Sequence, residues 1–191
     1  MLSDSDRSTL LRIAREAVTA AANDQPLPSL DLDSLPAALR ENRASFITLT
    51  IDHELRGCIG GLQAMMPLAL DVQQHAAGAA MEDPRFPPVS RTEAPYLRIE
   101  ISVLTAPEPV PHKSPEELIA ALRPGIDGVI LKSGWRHKAT FLPQVWEKVP
   151  DPVLFLEMLS EKMGASPDAW RYPNTEVFRY QVEMFEETKD N

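Results

Sequence analysis

The residues best equipped for chemistry lie together in Leu55-Arg56-Gly57-Cys58-Ile59-Gly60. This segment holds the chain's only cysteine, an arginine two residues before it, and two glycines within an apolar run. Read as a strand, it places Arg56 and Cys58 on one face, roughly 7 Å apart, and turns Leu55 and Ile59 to the other face, toward a core. A guanidinium beside a thiol favours the reactive thiolate. Gly57 and Gly60 carry no side chain, so a ligand or another backbone can approach closely. The same residues equally suit a buried cysteine that packs as a small hydrophobe, with glycines that mark a bulge or tight packing.

Other candidates surround this segment. Arg56 is a candidate hook for carboxylate or phosphate. Glu100 lies in Ile99-Glu100-Ile101, on the face opposite the two isoleucines. A carboxylate there needs a partner or a task, because an unpaired buried charge is costly, and Arg56 is its expected partner. Arg85 and Phe86 sit in Asp83-Pro84-Arg85-Phe86-Pro87-Pro88, where flanking prolines stiffen and preorganise the loop. The plainer reading of that loop is a helix end with an Asp83–Arg85 contact. Thr140 and Gln144 supply polar groups that orient a ligand, and Trp146 beside them offers a stacking surface.

A cysteine nucleophile needs a base, normally histidine, and His75 and His53 are the candidates. His75 follows Val72 by three residues on a helical apolar stripe, a position that also suits a satisfied core or cleft histidine. His53-Glu54 begins a His-Glu-x-x-His pattern, but Gly57 occupies its fifth position, so the zinc motif fails. His112 follows a proline-rich connector and is expected to be solvated. His137, with Arg136 and Lys138, forms a small basic cluster at a strand start. No spacing offers three or four metal ligands. There is no phosphate loop, dinucleotide fingerprint, oxyanion-hole motif or radical-SAM cysteine triad, so the sequence assigns no cofactor.

The elements that hold these groups follow from periodicity and breakers. Apolar residues at helical spacing predict a helix from about Ser5 to Ala22, capped by Asp4 or Ser5. A short helix over Ser34–Glu41 precedes a strand over Phe46–Ile51, which turns at Asp52-His53-Glu54 and pairs with Leu55–Gly60. A second helix runs from Pro67 to about Met81 and ends before the stiff Asp83–Pro88 loop. Leu97–Leu104 alternates as a strand, and Pro107, Pro109 and Pro111 make an extended connector. A helix starts at Ser114-Pro115 and runs to about Leu122. Gly128–Lys132 and Lys138–Leu142 form a strand pair joined across Ser133-Gly134. A last helix runs from Asp151-Pro152 to Gly164, and Glu176–Phe185 is a final strand, although Tyr180–Phe185 alternates poorly. Hairpins with helices between them imply an α+β fold with one mixed, largely antiparallel sheet flanked by helices.

A length of 191 residues suits one domain with a small lobe, assigned here to about residues 107–150, and suffices for a core without disulfide or metal. Acidic residues exceed basic ones by 28 to 19, and the net charge of -9 argues against nucleic acid or an acidic membrane as partner. A single cysteine forms no internal disulfide, which fits a reducing cytoplasm. No apolar run approaches the roughly 20 residues of a membrane span, and the acidic first residues lack the basic and apolar regions of a signal peptide.

LRGCIG at 55–60, DPRFPP at 83–88, IEISVL at 99–104 and ATFLPQV at 139–145 occur in the order of the signature segments of the AMMECR1 family. The chain resembles that family, whose bacterial and archaeal members include protein A of the AmmeMemoRadiSam system, from about residue 5 to about residue 187. The resemblance implies an α+β fold with a larger and a smaller lobe. It also implies Memo-like and radical-SAM proteins as partners in a small-molecule or modification pathway. One departure is Gly61, where the family pattern leads to a small hydroxyl residue. Two functional readings follow. In the first, the protein is an enzyme or enzyme component acting on a small anionic ligand: Arg56 and Arg85 bind it, aided by Gly57, Gly60, Phe86, Thr140 and Gln144, and Cys58 reacts with Glu100 or His75 as assistant. In the second, it is a noncatalytic adaptor or binding module for a protein or nucleic-acid partner.

Overall fold

The computed structural model describes residues 1–134 and 137–188, so Arg136 of the expected basic cluster lies outside the described residues. The chain divides into two units, Met1–Leu104 with residues 183–188, and Thr105–Val182; residues 107–150 fall inside the second.

In the first unit, α1 (Asp4–Ala22) buries Leu10, Ile13, Ala14, Ala17 and Val18 on one stripe. Its cap is Ser3, one residue earlier than expected: the Ser3 hydroxyl accepts from the Asp6 amide, and the Asp6 carboxylate accepts from the Ser3 amide, closing a capping box. After the single turn of α2 (Ala37–Arg40) come β1 (Ser45–Ile51), β2 (Glu54–Gly60), α3 (Leu68–Met81) and β3 (Arg98–Leu104). The sheet order is β2-β1-β3-β8, where β8 is Val182–Glu186. α1 and α3 pack on each other and on one sheet face, burying Ile47, Leu49, Ile99, Ile101 and Val103. Alternation turns Thr48, Glu100 and Cys58 to the other face.

The second unit contains β4 (Glu108–Pro109), α4 (Pro115–Ala121), β5 (Gly128–Ser133), β6 (His137–Phe141), α5 (Val145–Lys148), α6 (Pro152–Lys162) and β7 (Thr175–Tyr180). Its sheet runs β4-β7-β5-β6, over a core that includes Leu118, Val129, Leu131, Phe155, Leu156, Leu159 and Trp170.

The α+β class is as the sequence predicts, with one correction: there are two four-stranded sheets, not one. The expected strand Glu176–Phe185 is two strands that serve different sheets. Alternation slips at Tyr180, which turns inward against Gly128, and at Gln181 the backbone pairs with Thr105 through Thr105 N–H to Gln181 O (2.9 Å) and Gln181 N–H to Thr105 Oγ1 (2.9 Å). No helix among the described residues is long and apolar enough to cross a membrane.

Candidate functional site

β2 is shaped by one extra residue. Asp52 and His53 take left-handed backbone (φ 49° and 68°), the requirement of a tight type I′ hairpin. Leu49 then pairs with Gly57 and Thr50 with Leu55, so Arg56 is the unpaired residue of a β-bulge. The bulge resets the alternation. Leu55 lands on the face opposite Ile59 and is 42% exposed, a correction to the expected shared core face.

Gly57 and Gly60 also depart from expectation. A Cβ at Gly57 would stand 2.1 Å from the Ala79 carbonyl oxygen of α3, and one at Gly60 would stand 2.4 Å from the Ser45 carbonyl oxygen and 2.5 Å from the Phe46 ring. The space these glycines leave is filled by the protein itself, so they serve packing in place of ligand approach.

The outer edge of β2 is tied to the 83–88 loop. Arg56 Nε donates to Glu93 Oε1 (3.1 Å), Nη1 to the Pro87 carbonyl (2.9 Å), and Nη2 to the Pro88 carbonyl and Glu93 Oε2 (both 3.4 Å). The Arg56 hydrogen bonds, helped by Ser90, hold the Glu93 carboxyl down at about 2. The expected Arg56–Glu100 pair does not form, because the bulge sends Arg56 to the edge and Glu93 satisfies it there.

Asp83 completes the edge. Its buried carboxylate accepts from Cys58 N–H (2.8 Å), Arg85 N–H (3.1 Å), Arg85 Nε (2.9 Å) and Arg85 Nη2 (2.7 Å). The Arg85 side-chain bonds are the main cause that holds Asp83 well below the usual carboxylate range, against the opposing effect of burial. Arg85 is 55% exposed in its side chain. Asp83 occupies its Nε/Nη2 edge, and the Nη1/Nη2 edge meets no acceptor among the described residues. The bond to Asp83 raises Arg85, and a thiolate at Cys58 adds to that pull. The Phe86 ring lies under both guanidinium groups, with centroid distances of 5.5 Å to Arg85 and 6.0 Å to Arg56.

Cys58, Thr48 and Glu100 form one row across β2, β1 and β3. Thr48 Oγ1 donates to Cys58 Sγ (3.5 Å). Glu100 makes no ion pair among the described residues. Burial first, then the Glu186 carboxylate, raises it toward its protonated form, with Arg98 opposing. The row thus sets a thiol and a carboxyl biased toward neutrality on either side of a threonine hydroxyl. Thr48 and Asp83 escaped the sequence reading as site residues; their signals were the alternating Thr48-Leu49-Thr50 and the carboxylate at the head of DPRFPP.

His75 stands apart from Cys58. It lies on α3, on the other side of the sheet from the row. Its Nδ1 is 3.1 Å from Asp71 Oδ2, which also accepts from the Ser45 hydroxyl (2.6 Å). A side chain at Gly61 would meet the His75 ring at 3.6 Å.

Thr140 and Gln144 belong to the second unit. The Thr140 hydroxyl donates to the Val129 carbonyl (2.9 Å) and pairs with the Tyr180 hydroxyl (2.9 Å), so its bonds lie within the fold. Gln144 immediately precedes α5. Trp146 is no stacking surface: it is buried, lies face to face with Phe155 at 3.6 Å, and donates from Nε1 to the Asp127 carbonyl (2.7 Å). His53 is exposed in its turn. His112 is half-buried, not solvated, with Nδ1 on the Val110 carbonyl (2.8 Å). Among the described residues no cluster of three or more His, Cys, Asp or Glu forms a metal site. A wider groove of about 900 Å³ in the first unit includes Arg15, Arg91 and Arg98. Arg15 and Arg98 are already committed there to Glu187 and Glu186.

A sequence model of the AMMECR1 family matches residues 11–185. A protein of Thermofilum pendens is 38% identical, covering 98% of this chain and 92% of its own length. One of Methanothermobacter thermautotrophicus is also 38% identical, covering 97% and 96%. The crystal structure of the uncharacterized protein PH0010 from Pyrococcus horikoshii superposes with a TM-score of 0.83 at 35% identity, over 93% of this chain and 89% of that one.

Proposed function

The chain belongs to the AMMECR1 family, and on that premise we propose that it binds a small anionic substrate at Arg85 and presents it to Cys58 and Glu100. It does so as an enzyme or enzyme component of a small-molecule or modification pathway that also employs Memo-like and radical-SAM proteins. One observation carries the reading: a single buried carboxylate, Asp83, holds the Cys58 amide and one edge of Arg85 together. That leaves the other guanidinium edge, with its paired N–H groups, for a bidentate oxyanion. Arg56, with all three nitrogens engaged, holds the loop in place instead of contacting substrate. Cys58 serves as nucleophile or acid/base, and Glu100 is the assisting acid.

The test is the alkylation rate of Cys58 by iodoacetamide in the folded protein, with inorganic phosphate or malonate added. The anion is expected to slow labelling in the wild type and to have no effect in Arg85→Gln. Equal rates with and without anion would overturn the reading. If only a Memo-like or radical-SAM protein shields Cys58, the adaptor reading replaces it.

A further inference from the structure

The second unit carries a pocket of about 320 Å³, lined in part by His112, Lys113, Trp170, Arg171 and Tyr172. Its charge runs against that of the chain. In a protein with 28 acidic and 19 basic residues, no carboxylate lines this pocket among the described residues, while two cations and a histidine do. Three acids lie close by and are engaged within their own loops. Glu117 accepts from the Lys113 backbone N–H (2.8 Å). Glu116 bonds Ser114, and Asp168 bonds Ser166 and Tyr172; both feel the charge of Arg171, but neither forms an ion pair with it. Lys113 Nζ and the Arg171 guanidinium have no hydrogen-bond acceptor among the described residues, so their donors are available.

The walls are aromatic and held in place. Arg171 lies 4.1 Å over the Trp170 ring, a stack that fixes the plane of the guanidinium. Trp170 is buried and backs the Arg171 guanidinium from inside the wall. The Tyr172 hydroxyl is anchored to Ser166 (3.2 Å), and the residue remains 45% exposed. The Val110 carbonyl holds His112 Nδ1 (2.8 Å) and so fixes the ring, with Nε2 as its second polar atom. A pocket of this volume is at the small-ligand end of the range, too small for a folded partner.

We propose that this pocket binds an aromatic phosphate of mononucleotide size. The ring lies against Tyr172 and the Trp170–Arg171 stack, and Lys113 and Arg171 hold the phosphate. The pocket belongs to the other unit from Arg85 and does not depend on the function proposed for Cys58.

Isothermal titration of the full chain with AMP tests it, with adenosine and inorganic phosphate titrated separately. An AMP site that depends on Lys113 and Arg171 is expected, weakened as salt rises, with each fragment binding there at least about tenfold more weakly than AMP. Arg171→Gln and Lys113→Gln, both at exposed positions that leave the core intact, are each expected to lower AMP affinity about tenfold. Arg40→Gln, which removes an exposed cation of the first unit that belongs to neither site, is expected to leave it unchanged. The absence of binding at millimolar AMP, an Arg171→Gln protein that binds as the wild type does, or an equal loss caused by Arg40→Gln would each overturn the proposal.

Discussion

Replacing Asp83 with asparagine should destabilise the first unit by about 3 kcal/mol at neutral pH, and by much less in acid. The figure comes from the four bonds that the carboxylate accepts. Asparagine keeps one acceptor oxygen and turns an NH2 group toward donors. One backbone bond to a charged acceptor is then lost, about 1.5–3 kcal/mol, and the other loses its charge, about 1 kcal/mol. The Arg85 pair adds only about 0.5 kcal/mol, because the guanidinium is largely exposed. The pH dependence follows from direction. Asp83 is depressed below its ordinary 3.8 in the folded state, so its stabilisation is present above that value and fades as pH falls below it. Urea unfolding followed by exposure of Cys58 reports on the first unit, whereas all three tryptophans lie between 105 and 182 and report on the second. With a slope of about 1.5 kcal/mol per molar urea, the Cys58 midpoint should fall by about 2 M while the tryptophan transition stays in place. A midpoint within about 0.3 M of the wild type at neutral pH, or a deficit that persists undiminished at about pH 3, would refute the reasoning.

Three further outcomes follow from the same geometry. Gly57→Ala should cost about 3 kcal/mol in the same urea assay, because its Cβ meets backbone that cannot rotate away; a wild-type midpoint would show that α3 sits further from β2. Glu100→Gln should stabilise the first unit at pH 7, read as a higher urea midpoint for Cys58 exposure. Glu100 is raised above its ordinary 4.5 on folding, so its ionised form weighs against the fold as pH rises through that range, and the gain should vanish in denaturation curves taken below pH 4.5. Tyr180→Phe should cost about 1 kcal/mol by loss of the Thr140 bond. Burial pushes Tyr180 up to about 12 from 10, so the wild type should lose stability as pH rises from 10 toward 12 while the variant shows a flatter alkaline limb.

What was legible in the sequence was what depends on local pattern. The helical stripe of α1, the hairpin at Asp52-His53, the proline start of α4 and the arrest of α6 at Gly164 are each fixed by a few neighbouring residues. What was illegible depended on partners distant in the chain. Nothing near residue 181 announces that one continuous β-prone run serves two sheets, because the break is made by pairing with Thr105, some 76 positions away. Nor does Trp146 reveal its burial, since Phe155 and the Asp127 carbonyl that enclose it come from other elements.

Arg56 and Arg85 show the limit most sharply. Both sit in short apolar or proline-rich segments, and by residue type either could hold an anion. Counting acceptors separates them. The bulge turns Arg56 onto two carbonyls and Glu93, groups that cannot leave without releasing the edge of β2. Arg85 is held by one edge only and keeps the other. A bulge is a difference of one residue between paired strands, so it is defined by the partner β1 as much as by β2 itself. Which arginine keeps free donors therefore resides in the pairing register, and labelling of Cys58 in Arg56→Lys against Arg85→Gln tests whether those donors serve the proposed anion site. The first should weaken the loop while leaving phosphate protection in the folded fraction, and the second should abolish that protection in a stably folded protein.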